Sequence, residues 1–154
     1  MIAAWRIVKA KHKRAAFTGE GSQFASGRWH NLKEPLVYCS DSHALAALEL
    51  FVHLQEDGKQ IKFLTFEARI PPELVLDVES IATLPKGWRK QPPGAATKKI
   101  GSDWVASAVS AVLSAPSAIV TSGRNYLLNP QHPDFHKIVI NKPVPFSFDS
   151  RLWK

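Results

Sequence analysis

The sequence predicts an α+β fold: a single domain over residues 1–154, built on a mixed, mostly antiparallel sheet with flanking helices. Three observations carry that expectation. Strand-like segments outnumber helical ones and do not alternate with them, which argues against a regular βαβ array. The one helix with start and stop signals at both ends lies between two strand candidates. At 154 residues and 45% hydrophobic content the chain suffices for one core and is short for two.

Taken in order, Ala4 to Val8 reads as a first strand, and the basic, glycine-containing stretch to Ser26 as a long loop. Leu36 to Ser40 is a short strand bounded by Pro35 and by Asp41-Ser42. Asp41 or Ser42 can cap a helix running to about Glu56, where Asp57-Gly58 ends it. Ile61 to Ile70, rich in Phe, Thr and Ile, is a longer strand stopped by Pro71-Pro72. Pro85 to Lys99 holds three prolines and two glycines and reads as an irregular surface excursion. Ser102-Asp103 opens a short helix carrying Trp104, Val105 and Ala108. Val109 to Val120 reads as strand, bulge and strand around Pro116, and Lys137–Asn141 and Pro145–Asp149 as two last strands. There is no internal repeat, low-complexity tract or interdomain linker.

A net charge of +7 attracts anions: nucleic acid, a phosphorylated small molecule or an acidic protein. The densest basic cluster, Lys9, Lys11, Lys13 and Arg14, and a second at Lys98-Lys99, lack the interleaved aromatics of a single-strand binding platform. No apolar stretch approaches the roughly 20 residues of a membrane span, and the start, Met1-Ile2-Ala3-Ala4-Trp5-Arg6, has no basic region followed by a long apolar run. A soluble, cytoplasmic protein is expected, in keeping with Cys39 as the only cysteine. No metal site is expected. His132 and His136 have helical spacing, but Pro133 lies between them and no HExxH pattern is present.

Candidate chemistry lies in four polar residues planted in hydrophobic segments: Arg28, Tyr38, Glu49 and Ser117. Glu49 falls three or four residues from Leu45 and Val52, within the apolar stripe of the helix, where a carboxylate is costly unless it has work or a partner. A salt bridge to an arginine is the structural alternative. Arg28 offers a planar fork suited to a phosphate, whereas its neighbour Trp29 reads as core. Tyr38 and Cys39 are consecutive on a strand and point to opposite faces, so one of them can face a site, and Tyr38 is chosen. Cys39 reads as a small buried hydrophobe. Ser117 follows Pro116, which fixes the local backbone, and no Gly-x-Ser-x-Gly elbow marks it as a nucleophile. Arg6, on a strand among apolar neighbours, reads either as a second phosphate contact or as an internal partner for Glu49. Asn125 and Asn129 bracket Tyr126-Leu127-Leu128 and read as turn stabilisers or ligand contacts.

The same residues carry a family resemblance. Trp5-Arg6-Ile7, Gly27-Arg28-Trp29, Val37-Tyr38-Cys39-Ser40, Ala44-Leu45-Ala46-Ala47-Leu48-Glu49, Pro116-Ser117, the run Asn125 to Pro133 and the closing Phe148-Asp149-Ser150-Arg151-Leu152 resemble a RES-domain toxin, the toxic half of a bacterial toxin–antitoxin pair. The Arg, Glu and Ser of that family's name match Arg28, Glu49 and Ser117. The resemblance implies a fold similar to ADP-ribosyltransferases and an activity that consumes NAD by breaking the nicotinamide–ribose bond, or one that transfers ADP-ribose to a protein. NAD is then a consumed substrate and not a resident cofactor; phosphate-loop and Rossmann fingerprints are absent. The implied partner is a small antitoxin with a helix-turn-helix (Xre-like) DNA-binding domain, the toxin itself touching neither nucleic acid nor membrane. One departure stands out: where the family usually has a glycine shortly before the Tyr-containing strand, this chain has Lys33-Glu34-Pro35. A basic RNA-binding or RNA-cutting toxin is the more distant alternative.

In chemical terms, nicotinamide loss leaves an oxocarbenium-like ribose, so a rigidly held carboxylate such as Glu49 suits the transition state. Arg28 is expected to anchor the pyrophosphate or ribose, Tyr38 to carry the nicotinamide, and Ser117 to donate to the nicotinamide amide or a ribose oxygen. Arg6, Asn125 and Asn129 complete the expected substrate contacts.

Overall fold

Ile2–Lys9 (β1), with apolar side chains on both faces, lies in the interior of one large sheet. The computed structural model describes residues 1–154. Seven further strands join β1: Val37–Ser40 (β2), Phe63–Ile70 (β3), Val75–Asp77 (β4), Val112–Pro116 (β5), Arg124–Leu128 (β6), Val139–Ile140 (β7) and Val144–Phe146 (β8). Their order is β4-β5-β6-β2-β1-β3-β7, with β8 also pairing β3, and every pair is antiparallel except β4 with β5. The class is thus the expected α+β with a mixed, mostly antiparallel sheet.

Two α-helices punctuate the strands: His43–Phe51 (α1) and Ala95–Ser107 (α2). Ser42, in extended conformation, caps α1 by accepting the amide of Leu45 at 3.0 Å. The helix ends at Phe51, short of the expected Glu56, because the amides of His53 and Leu54 bond back only three residues, to the carbonyls of Leu50 and Phe51, in tightened turns.

Register decides which residues share a face. Trp5 lies opposite Ser40, Tyr38 opposite Leu127, and Ser40 opposite Asn125, so these five point to one side. That side carries α1, whose Ala46 packs with Ile7 and Phe63, and α2, whose Trp104 joins a cluster with Trp29, Leu36, Leu113 and Leu127. Arg6, Val8, Cys39 and Tyr126, one residue out of phase, point to the other side. There Ala4, Val37, Cys39, Ala68, Ile70 and Leu128 form a second core, and Ala16 and Phe17, from the segment after β1, pack on Val8 and Phe66.

Besides the shorter α1, four elements differ from the sequence expectation. Strands β4 and β6 are additional. The segment 109–120 forms one strand, β5, whose last residue, Pro116, pairs with Arg124. Helix α2 begins at Ala95 instead of Ser102, so Lys98 and Lys99 are helical. Gly101 bears on the last difference: a Cβ there would collide with the carbonyl oxygen of Trp29, so the glycine is what lets the helix settle on Trp29. No helix is long and apolar enough to cross a membrane.

Candidate active site

Helix α1 brings Glu49 over the junction where β5 ends and β6 begins, and its carboxylate is held asymmetrically. Oε1 accepts both the Ser117 hydroxyl and the Asn125 side-chain amide, each at 2.7 Å. Asn125 is oriented in turn by the Ser40 hydroxyl, which donates to its Oδ1 at 2.8 Å; this leaves Nδ2 to face the carboxylate. Ser117 is wholly buried, and its oxygen accepts the amides of Ile119 and Val120. Oε2 of Glu49 makes no hydrogen bond, and none of the six ion pairs in the molecule includes Glu49. The salt-bridge alternative therefore does not hold, and one carboxylate oxygen stays open on a fixed support.

Ser117 has a single proton and gives it to Glu49. It orients the carboxylate, where the sequence suggested a donor to nicotinamide or ribose. Asn125 likewise positions Glu49.

Arg28 sits across from this carboxylate. Its Nη1 donates to the carbonyls of Trp88 (2.8 Å) and Lys90 (2.9 Å), and its Nη2 to Oε1 of Gln91 (3.2 Å). A guanidinium has five N–H donors, so these three bonds leave two, and no acid neutralises the charge. Burial lowers the guanidinium's pKa, an effect opposed by Glu49 and Tyr38 and reinforced by Arg89. Arg89, absent from the sequence reading, donates to the carbonyl of Ala118 at 3.0 Å, beside Ser117. Its loop of prolines and glycines gave no periodic signal to single it out.

Tyr38 faces the same side, its hydroxyl fully committed. His30 is buried, with Nε2 near two carbonyl oxygens, of Ser22 (3.1 Å) and Ala25 (2.8 Å), so Nε2 carries the proton and Nδ1 accepts the Tyr38 hydroxyl at 2.7 Å. The Tyr38 oxygen accepts the amide of Trp29. Burial raises the phenol's pKa far above its ordinary value, so Tyr38 stays neutral. A Cβ at Gly27 would come within 2.7 Å of His30 and 3.0 Å of the Tyr38 hydroxyl; this explains the glycine of Gly27-Arg28-Trp29. Lys33, in the loop that departs from the family's pattern, adopts φ +71°, the left-handed backbone that a glycine takes without strain.

Two expected contacts lie elsewhere. Arg6 points to the opposite side of the sheet from Glu49, where Nε donates to the carbonyl of Ala16 (2.7 Å) and Nη1 to that of Tyr38 (3.0 Å). It is neither a partner of Glu49 nor a neighbour of its free oxygen. Asn129, four residues beyond Asn125 and so roughly 13 Å along the strand, accepts the amide of Gln131 and shapes a turn. Cys39 is buried on the Arg6 side, and desolvation pushes its thiol up to about 12. No three His, Cys, Asp or Glu side chains converge as metal ligands would.

The curled mixed sheet with few helices is an ADP-ribosyltransferase-like toxin fold, and Glu49, the half-buried Arg28 and Tyr38 lie on one side of it. The RES domain model matches residues 3–149, so the chain belongs to the RES-domain family of toxins. It is 39% identical over 151 residues to Toxin Res of Photorhabdus laumondii, covering 97% of this chain and 96% of that one. It is 35% identical over 153 residues to the Prs ADP-ribosylating toxin of a Sphingobium species, covering 96% and 94%. Among solved structures, the M. tuberculosis MbcT-MbcA toxin-antitoxin complex aligns with a TM-score of 0.76 at 16% identity, over 94% of this chain and 84% of that one.

Proposed function

We propose that this toxin depletes cellular NAD by cleaving the nicotinamide–ribose bond, by hydrolysis or phosphorolysis. The observation that carries the reading is the half-open Glu49 carboxylate, with Oε1 pinned by two donors and Oε2 unpartnered. As nicotinamide departs, positive charge grows on the ribose. A carboxylate already oriented meets that charge without reorganising, and Oε2 can accept a ribose hydroxyl. The two uncommitted N–H groups of Arg28 serve the pyrophosphate. The Tyr38 ring carries the nicotinamide by stacking alone, since its hydroxyl is already spent on His30 and Trp29.

NAD is consumed here, not recycled, and the reaction belongs in the cytoplasm where the pool lies. Such an activity requires restraint in its own host. The matched toxin-antitoxin complex supports an antitoxin as the partner; that it is small and carries a helix-turn-helix domain is what the RES-toxin resemblance implies. An acidic segment of it would compete for Arg28 and Arg89 at the mouth of the site.

Following NAD by NMR with the purified chain, with and without phosphate, tests the proposal: free nicotinamide should appear, and the second product should be ADP-ribose or its 1-phosphate. Intact NAD under both conditions would overturn it. The name of the Sphingobium relative favours a second reading, transfer of ADP-ribose to a protein from the same site; nicotinamide release that depends on an added protein would select it.

A further inference from the structure

The side of the sheet facing away from Glu49 carries a cavity of about 650 Å³, within the usual range for a small-ligand site. Its floor includes Arg6, and its walls include Lys9, Lys11, Lys13 and Arg14. None of these five cations takes part in any ion pair of the molecule. Arg6 spends Nε and Nη1 on backbone carbonyls, and its Nη2 makes no hydrogen bond. One acid, Glu20, lines the same space. Gathering like charges around a concavity opposes folding through mutual repulsion, and a polyanion seated among them would remove that cost. Phe24, 77% exposed, stands in the lining and offers a free aromatic face.

The cations converge on one hollow instead of running along a stripe, which fits a compact phosphate-rich ligand better than a nucleic-acid backbone. We propose that this cavity is a second anion-binding site, separate from the Glu49 site, that takes a nucleoside di- or triphosphate, with its phosphates on Arg6 and the surrounding cations and its base against Phe24. The assignment is independent of how NAD is used at Glu49.

Calorimetric titration of the full chain with ADP and with inorganic pyrophosphate tests it. Both should bind, and Lys13→Glu combined with Arg14→Glu, two exposed positions, should weaken both at least about tenfold. Arg6→Met should do the same, and if that variant fails to fold the double reversal still decides. Phe24→Ala should weaken ADP several-fold and leave pyrophosphate unchanged, because only ADP has a base to stack. Lys142→Glu, an exposed cation outside the cavity lining, should leave both affinities intact. Equal weakening by Lys142→Glu, no binding at millimolar ligand, or indifference to the double reversal would each overturn the site. Tighter binding of a short single-stranded RNA through the same residues would overturn the small-ligand assignment.

Discussion

At the scale of single residues, Glu49 differs from its neighbours in having one oxygen bound twice and the other not at all. Glu49→Gln keeps an acceptor for Ser117 and Asn125 and removes the charge. NAD turnover should fall by about 10² to 10³ with an unchanged melting temperature, measured by nicotinamide release and circular dichroism; full activity in the folded variant would remove Glu49 from the chemistry. His30 is a positioning residue. His30→Ala strands the buried Tyr38 hydroxyl, which costs about 1–3 kcal/mol, and a drop of several degrees in melting temperature should accompany the loss of activity. Cys39 predicts a pH signature. Its folded pKa is raised from an ordinary 9.0 to about 12, so the burial of the neutral thiol contributes fully below the ordinary value and its contribution is lost as pH rises through that interval. At pH 8 an aromatic disulfide reagent should leave the folded chain unmodified and react once denaturant is added; rapid labelling of the native protein would contradict the burial. Neither His30 nor Arg89 was legible in the sequence, because each acts on a partner that only the fold supplies: a strand tyrosine for one, the carbonyl beside Ser117 for the other.

At the scale of elements, legibility followed the strength of local signals. Strands β1 and β3 and helix α1 stood out through apolar runs, prolines at the ends and the Ser42 cap. Strand β6 did not, because its first two residues are polar and serve opposite faces: Arg124 pairs with Glu79 on one side, and Asn125 holds Glu49 on the other. The site thus hid the strand that builds it. Helix α2 was obscured by Gly101, whose purpose is close approach to Trp29. Gly101→Ala should therefore cost about 3 kcal/mol or more, since the obstructing atom is a backbone oxygen that no rotamer change can move. Thermal melting reads this directly, and a loss within 0.5 kcal/mol would show that the contact is looser than described. Arg28, next in sequence to Trp29, should lose its hold on the 88–91 loop in the same variant.

For the molecule as a whole, the sheet acts as a partition. Glu49, Arg28 and Tyr38 lie on one side, and the basic concavity around Arg6 lies on the other; charge alone, read from the sequence, could not separate the two. Co-expression of the adjacent gene should yield a copurifying acidic-tailed partner and a complex without NAD turnover until that partner is removed. An active complex, or no association at all, would discard the restraint proposed above.

The chain of contacts around Glu49 also sets an order in time. Ser117 and Asn125 follow Glu49 by 68 and 76 residues, yet both must be in place before the carboxylate is oriented. At synthesis rates of about 5–20 residues per second, ~4–15 s pass between the making of Glu49 and the making of Asn125. A nascent chain on the ribosome is therefore harmless for nearly all of its manufacture, and becomes dangerous only as its last quarter emerges and β6 closes against β2.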